Sequence, residues 1–427
     1  MRAKLSTTFQ SLTVRNYRLF AIGQLTKLIG VWMMFIAQDW LVLELSDDSA
    51  TALGVVTALQ FTPVLLLTLL SGRLADRYDK RLLLFIGNAG WSVLSLAMSV
   101  LVVTGAVRLW HVFVFAALLG VANAIETPVR QAFVSELVGM PLLPNALSLS
   151  AATFNTARII GPAAAGIEIA AFDVGPVFLI SAISSVAPLL CVVRMRPAEL
   201  YRAELPPIDE RDSARVVDGL RYVARRPDLL LPMALMSVIG MVLFNFQLTL
   251  AALAKTVFNT GAASFGLFTT ALAVGALAGA LASSGRRERP SVYVVIGAAL
   301  AFSVLGTLVG FAPAYWLVVV LLVPTGFFMV YFAQASNQRV QLGVDAAFRG
   351  RVMALWVLVF LGTNPVGAPL IGWVAERFGA GASIWLGGLI SITAATAALA
   401  WQLRHTGSRL RLRRSGVKWV AVVERTA

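Results

Sequence analysis

The sequence predicts an all-α integral membrane protein with twelve membrane-spanning helices, arranged as two six-helix halves. Hydrophobic residues make up 58% of the 427 residues and charged residues only 13%, with a mean hydropathy of +0.81. Apolar runs long enough to cross a bilayer recur along the chain, and Lys and Arg concentrate in alternate connections between them. A water-soluble domain cannot bury so much apolar surface, so lipid is the expected solvent.

A bilayer core about 30 Å thick requires about 20 helical residues to cross it. Twelve apolar runs reach that length, namely residues 19–45, 51–72, 82–104, 110–128, 145–171, 176–194, 229–254, 262–284, 291–311, 314–336, 351–374 and 380–403. Because backbone polar groups in lipid must be satisfied within the segment, each run is predicted to be helical. The first run is too long for a cleaved signal and is expected to be a permanent span.

The positive charges are distributed very unevenly between the two sides of the predicted bundle. Thirty of the 35 Lys and Arg lie on the side that carries both termini, whereas the opposite side has only Arg108, Lys255 and Arg377. The positive-inside rule therefore predicts that both termini and the central connection face the cytoplasm. This topology accounts for the net charge of +14, so no nucleic-acid partner is expected.

A long central connection divides the chain. The predicted units are an amino-terminal half over 1–194, a cytoplasmic linker with an amphipathic helix over 195–228, a carboxy-terminal half over 229–403 and a basic tail over 404–427 that contacts anionic lipid. The halves resemble each other at an offset of 207: Gly72–Ala75 corresponds to Gly279–Ala282, and Pro162 to Pro369. Repeats of this kind place a binding site between the halves, near the midplane of the membrane.

The composition excludes several classes of function. One cysteine, Cys191, excludes a disulfide framework and a thiolate metal cage, and two histidines leave little for acid–base catalysis. The phosphate-binding loop of ATP-driven pumps is missing from the sequence. We therefore expect no enzyme activity, no metal and no cofactor, and an ion gradient as the energy source.

The strongest local motif is Gly-Arg-Leu-Ala-Asp-Arg-Tyr-Asp-Lys-Arg over residues 72–81, directly after the second run. Asp76 is a carboxylate among four cations, which is typical of a short loop with two alternative sets of partners. Such a loop acts as a conformational latch. The alternative is a plain positive-inside loop.

This motif resembles the loop after the second span of major facilitator superfamily transporters. Residues 15–20, 126–133, 145–147 and 157–166 are also similar to the subgroup that contains the enterobactin exporter and related multidrug exporters. The resemblance covers nearly the whole chain and implies the major facilitator fold, with transport by alternating access. It implies a latch formed by Gly72, Asp76, Arg77 and Arg81, in which Asp76 stabilises the outward-facing state through the start of span 11, near Gly350–Arg351.

The fifth run contains Gly161, Pro162 and Gly166, which resemble the Gly-Pro motif of proton-coupled exporters in that superfamily. Proline removes a backbone hydrogen bond, and glycine permits close packing, so we expect a hinge or a tight helix seam here. Ala157 and Ala165 replace glycines of the usual motif. The alternative is a packing motif with no bearing on the direction of transport.

Polar residues in the first run form a stripe. Gln24, Lys27, Phe35 and Gln38 share one helix face, which suits the wall of a substrate cavity. The alternative for Lys27 is that it extends to the cytoplasmic surface. Asp39 lies 100° around the helix from Gln38, and a carboxylate at that depth is a candidate proton carrier. The alternatives for Asp39 are a structural hydrogen bond and a position at the outer mouth.

Ionisable residues also occur in the fourth and fifth runs. Glu126 and Arg130 are four residues apart and form a candidate gate, proton site or structural ion pair. Arg158, with Asn155 on the same face, requires a partner inside the membrane. We expect Glu126 or Asp39 to be that partner, or else an anionic group of the substrate, and a structural or gating role for Arg158 is the other alternative.

The carboxy-terminal half offers amides and aromatic rings rather than charges. Asn245, Gln334 and Asn337 are its candidate cavity residues, which suits a large, partly apolar ligand. The resemblance and the ionisable residues together predict a monomeric, proton-coupled exporter of amphiphilic small molecules such as drugs or siderophore-like compounds. The alternatives are an importer or a lipid or lysophospholipid carrier of the same fold, and a non-transporting membrane receptor or scaffold.

Overall fold

The computed structural model describes residues 9–201, 216–284, 288–345, 348–406, 408–415 and 418–425. Within these ranges, the side chains of residues 68–77, 216–218 and 408–425 are not described. The predicted latch residues Gly72, Asp76 and Arg77 therefore lie on a described helix, but their side chains lie outside the described residues.

Eleven helices in the described part of the chain are long and apolar enough to cross a membrane. One of them, Leu109–Phe172, has 64 residues and breaks at Gly139, where φ is 67° and ψ is 172°. A helix of that length would extend about 95 Å, roughly three times the thickness of a bilayer core, so it supplies two spans. The prediction of an all-α protein with twelve spans is confirmed.

The spans are numbered in chain order. In the first six, span 1 is Arg15–Leu45, span 2 is Ala50–Arg77 and span 3 is Lys80–Val103; spans 4 and 5 are the parts of Leu109–Phe172 before and after Gly139, and span 6 is Val174–Ser184 with Val186–Arg194. Span 7 consists of Pro227–Leu243, Phe246–Ala252 and a π-helical turn, Leu253–Val257. Span 8 is Ala262–Ser284, span 9 is Val292–Phe311, span 10 is Tyr315–Gly343, span 11 is Arg349–Phe378 and span 12 is Ala380–Thr406.

Short elements lie outside the spans. They are the 3-10 helices Gln10–Thr13 and Pro197–Glu199, the helix Val216–Ala224, and two antiparallel strands, Ser408–Ser415 and Lys418–Arg425. The helix falls within the predicted amphipathic stretch and packs Gly219 against Arg351 at the start of span 11. The strands are a feature of the basic tail that its charge pattern did not predict.

Spans 2 and 11, and spans 5 and 8, contact each other along their lengths, which joins the two sets of six helices. A Cβ on Gly54 would meet the backbone of Ala368, and one on Gly372 would meet that of Ala50. Gly266 of span 8 packs in the same way on the carbonyl of Pro162. The glycines allow this approach because they have no side chain to separate the helices.

The candidate hinge residues lie at such contacts. Gly161 packs against Trp32 and the carbonyl of Ile29 in span 1. Gly166 packs against Ala262 and Ala263 at the start of span 8, with backbone atoms at 3.0 Å from a built Cβ. The structure therefore places this motif where span 5 meets both span 1 and span 8.

A second glycine seam joins spans 8 and 10. A Cβ on Gly275 would collide with the carbonyl oxygen of Val323, and one on Gly279 with that of Phe327. Gly326 of span 10 packs reciprocally on Leu272. Each contact is to backbone, which has no rotamer to change.

We expect Gly275→Leu to destabilise the protein by at least about 1–3 kcal/mol, the usual range for overpacking. The readout is the midpoint of thermal unfolding in detergent, followed by tryptophan fluorescence. Gly297→Leu in span 9 is the matched control, because a Cβ there meets nothing within 4 Å. Equal midpoints for the two variants would contradict the assignment of this seam.

Candidate functional site

Span 1 carries a buried ion pair. Lys27 is 2% exposed, and its Nζ donates to Oε2 of Glu126 in span 4, which is 5% exposed. The ammonium group also lies 5.0 Å from the centre of the Trp91 ring in span 3. A buried pair with a cation–π contact satisfies a charge that would otherwise be costly in hydrocarbon. Lys27 therefore does not extend to the membrane surface.

Of the alternatives for Glu126 and Arg130, the structural ion pair between the two is not formed in the described part of the chain. The described residues contain no ion pair between these two, because Glu126 points across to Lys27 instead of along its own helix. Arg130 instead lines a small cavity of about 50 Å³ between spans 1, 4 and 5. Gln24 borders the same cavity, and its Oε1 is buried with no hydrogen-bond donor in the described structure.

Asp39 forms a separate polar contact twelve residues further along span 1. Its Oδ2 accepts a hydrogen bond of 2.8 Å from Nε2 of Gln247 in span 7, and the Asp39 residue is 5% exposed. The structure records no cation bonded to this carboxylate among the described residues. The contact joins span 1, in the first six helices, to span 7, in the second six.

Further contacts lie on the same side of the bundle, beyond Asp39 towards the 1–2 connection. This side, which carries few positive charges, is called the far side, and the side of the termini the basic side. Lys255 pairs with Asp48 at 2.8 Å and lies 5.2 Å from the Trp40 ring. Glu376 accepts from the Ser49 hydroxyl at 2.6 Å and from the Thr51 backbone N–H at 2.9 Å. The two sets of six helices are thus held together on the far side.

Arg158 has no carboxylate partner in the described structure. Both candidates are engaged elsewhere, Glu126 with Lys27 and Asp39 with Gln247. The expected ion pair is therefore not formed. The guanidinium group instead lies over the ring of Trp32 in span 1, with 5.6 Å between its Cζ and the ring centre.

The remaining cavity candidates are dispersed. Gln38 is buried, and its Nε2 is 3.5 Å from Oε1 of Gln60, a long contact. Phe35 packs edge-to-face on Trp32 and Trp91. Asn155 and Asn245 each donate to a carbonyl of their own helix, Ala151 and Met241 respectively.

Two candidates lie on span 10, where Gln334 is exposed and Asn337 is half-buried. The predicted residues therefore do not form a single cluster. They form two buried polar sites on span 1, one at Lys27 and one at Asp39, about 18 Å apart along the helix axis.

Arg81 is the one latch candidate with a described side chain. Its guanidinium donates to the carbonyl of Val192 in span 6 at 2.9 Å, and its backbone N–H donates to the Asp79 side chain. These bonds fix the start of span 3 against span 6.

Three residues of these sites were absent from the predicted set. Gln247 bonds to Asp39, Trp91 lies beside Lys27, and Trp32 carries Arg158. The amide of Gln247 at mid-depth was the available signal. The two tryptophans resemble ordinary lipid-facing or packing residues in sequence. No group of three or more His, Cys, Asp or Glu that could hold a metal ion occurs among the described residues.

Comparison with known proteins identifies the family. The family model described as "transmembrane secretion effector", of the major facilitator superfamily, matches residues 6–418. The chain belongs to this family. It is therefore a membrane transporter that moves a small-molecule substrate, and not an enzyme.

Two curated relatives cover most of the chain. A staphyloferrin A transporter of Staphylococcus aureus is 27% identical over 365 residues, which are 82% of this chain and 87% of that protein. The multidrug efflux pump Tap of Mycolicibacterium fortuitum is 24% identical over 376 residues, covering 84% and 89% respectively.

Solved structures share the fold. The nucleoside transporter NupG has a TM-score of 0.70 at 13% identity, covering 90% of this chain and 98% of that one. A bacterial homologue of the human lysosomal transporter Spinster, in an inward-facing and unoccupied conformation, has a TM-score of 0.65 at 12% identity and covers 90% and 95%.

We expect Glu126→Gln to destabilise the transporter strongly, because it leaves the Lys27 ammonium buried without a carboxylate. Removing one partner of a buried pair costs about 3–5 kcal/mol. Thermal unfolding in detergent provides the measurement, and adding Lys27→Met to the variant should restore much of the lost stability.

The control is Glu199→Gln. It breaks the Arg196–Glu199 pair of 2.9 Å, whose side chains are 64% and 41% exposed, and we expect a cost of about 1 kcal/mol or less. If Glu126→Gln proved no more damaging than Glu199→Gln, Lys27 would not depend on Glu126.

Proposed function

We propose that this transporter is a proton-coupled exporter of amphiphilic small molecules, and that Asp39 carries the proton. The observation that carries the proposal is the bond between Asp39 and Gln247. This bond puts a buried carboxylate at the contact between the two halves, on the far side of the bundle. Gln247 donates to Oδ2, which leaves Oδ1 of Asp39 as the oxygen for a proton.

The coupling follows from the burial of Asp39. Closing the far side removes Asp39 from water, and a neutral carboxylic acid is easier to bury without a cation than a carboxylate is. A proton on Asp39 therefore favours closure of the far side, while an ionised Asp39 favours the open state, in which water reaches it.

This coupling produces export when the far side faces the outside. Substrate leaves through the open far side, a proton from outside binds Asp39, and the neutral side chain allows the far side to close. The proton then leaves Asp39 towards the cytoplasm, and the ionised side chain favours reopening of the far side with the next substrate molecule bound. An elementary charge moving through 100 mV of membrane potential releases about 2.3 kcal/mol, which can drive a substantial substrate gradient.

Glu126 is less suited to carry the proton. Its carboxylate is already paired with Lys27 inside one half, so a proton there would leave the Lys27 ammonium without its partner. We assign this pair, together with Trp91, the role of holding spans 1, 3 and 4 together as one rigid unit.

The substrate class and the orientation complete the proposal. One relative is named a multidrug efflux pump, which supports export, and another a staphyloferrin A transporter, which supports a small-molecule substrate. The aromatic cluster of Trp32, Phe35 and Phe154 supplies an apolar wall. In this proposal the basic side faces the cytoplasm of a bacterial cell. The 72–81 loop is the latch. The functional unit is a monomer, with its two halves at 1–194 and 229–403.

The test uses efflux-deficient bacteria that express this chain. Cells are loaded with ethidium, a cation, or with carboxyfluorescein, an anion released inside the cell from its ester. We expect the wild type to lower the accumulation of a dye and a protonophore to restore it. Asp39→Asn, which keeps the hydrogen bond to Gln247 but cannot bind a proton, should raise accumulation to the level of cells with empty vector.

Glu376→Gln is the matched control. Glu376 is also a carboxylate that bonds across the far side, but it is exposed, and we expect its variant to retain most of the export. Protonophore-sensitive export by Asp39→Asn would contradict the role of Asp39. Higher accumulation with the wild type than with vector would indicate an importer, and unchanged accumulation of both dyes would favour a single dedicated substrate over multidrug export.

A further inference from the structure

We infer that Arg158 in span 5 binds an oxyanion, such as a carboxylate, of the transported molecule, so that the preferred substrates are amphiphilic anions. The inference rests on the proposed transport function and assigns its substrate class. It depends on the surroundings of Arg158. Lys27, Glu126 and Asp39 each have a polar side-chain partner, whereas Arg158 has none among the described residues.

The position of Arg158 is fixed by helix packing. Gly161, three residues further along span 5, lies so close to span 1 that a Cβ would collide with Trp32. The same helix face carries Ala165, which is fully buried, so Arg158 points into the protein and not into lipid. The packing brings its guanidinium group over the Trp32 ring at 5.6 Å.

The surroundings contain donors and no acidic acceptor. Glu126 and Asp39 are engaged by Lys27 and Gln247, and the structure records neither an ion pair nor a hydrogen bond for Arg158 among the described residues. The indole Nε1 of Trp32 is likewise buried without an acceptor in the described structure. This region therefore has an excess of N–H groups.

The chemistry of guanidinium defines the ligand. Arginine presents a planar fork of N–H donors that matches an oxyanion with two parallel hydrogen bonds. The aromatic face of Trp32 offsets part of the cost of the unpaired charge, and leaves the N–H edges of the guanidinium group for a ligand. Arg158 is half-buried, so part of its surface remains accessible. Trp32, Phe35 and Phe154 would contact the apolar part of the same molecule.

A purely structural arginine has a different environment. It would bond to a carboxylate or to a backbone carbonyl, as Arg81 bonds to Val192 and Arg339 to Pro290 at the basic ends of their spans. The described structure shows no such bond for Arg158. An oxyanion of the substrate would supply the missing acceptors.

The test measures equilibrium binding to the purified full-length protein in detergent. Three probes share one dansyl ring and differ in the group that they carry: dansylglycine has a carboxylate, dansylglycinamide is neutral, and the third carries a quaternary ammonium. We expect the wild type to bind dansylglycine most tightly and the ammonium probe most weakly.

In Arg158→Gln, dansylglycine should lose about tenfold to a hundredfold in affinity, the range for a charge-assisted hydrogen bond, while dansylglycinamide changes little. Arg158→Lys keeps the charge without the fork and should fall between the two. Arg377→Gln, an exposed arginine on the far side, is the matched control and should bind like the wild type. Because the neutral probe reports on folding in every variant, a misfolded protein cannot be mistaken for a loss of anion recognition.

Equal affinities of the wild type for the three probes, or an unchanged preference for dansylglycine in Arg158→Gln, would overturn the inference. Failure of all three probes to bind the wild type would contradict the amphiphilic binding site of the proposed function itself, so the two failures are distinguishable.

Discussion

The structure depends on how a small number of charges are accommodated inside a membrane. An ionised side chain in hydrocarbon is costly unless it has a partner or reaches water. The transporter meets this constraint in three ways. Lys27 and Glu126 neutralise each other, Asp39 accepts from an amide, and Arg158 lies on an aromatic ring. The three sites therefore respond differently when the two halves of the protein move.

The three arrangements differ in what can alter them. The Lys27–Glu126 pair lies within one half and contacts Trp91, so it has no reason to break during a movement of the halves. The Asp39–Gln247 bond spans the halves and must separate when the far side opens. Arg158, which has no polar partner among the described residues, is the group that we infer to bind the substrate. Stability, coupling and recognition are thus assigned to separate residues of neighbouring spans.

The two halves contribute unequally. The charges at mid-depth all come from the first six spans, whereas the second six supply the amide of Gln247 and the glycine seam at Gly275. This asymmetry suits a carrier in which one half holds the titrating group and the other half provides its partner. A proton then changes the contact between the halves without changing the packing inside either of them.

The sequence predicted the twelve helices well, because length and hydropathy alone determine whether a segment can cross a bilayer. It also identified Asp39, Lys27 and Arg158 as the residues needing an explanation. It did not predict their partners. Glu126 was paired with Arg130 from its spacing along one helix, whereas the contact between spans 1 and 4 brings Lys27 closer. Partners on other helices depend on how the spans are arranged around one another, which no periodicity within a single span records.

The most direct test of the account is the distance between the halves on the far side as a function of pH. Spin labels at Arg108→Cys and Arg377→Cys, in a protein whose single cysteine Cys191 is replaced by serine, report that distance by electron–electron double resonance. The account predicts that acidification shifts the wild type towards the short, closed distance and that Asp39→Asn stays closed at every pH. A wild type that opens on acidification, or an Asp39→Asn protein that retains the same pH response, would contradict the coupling of Asp39 to the far side.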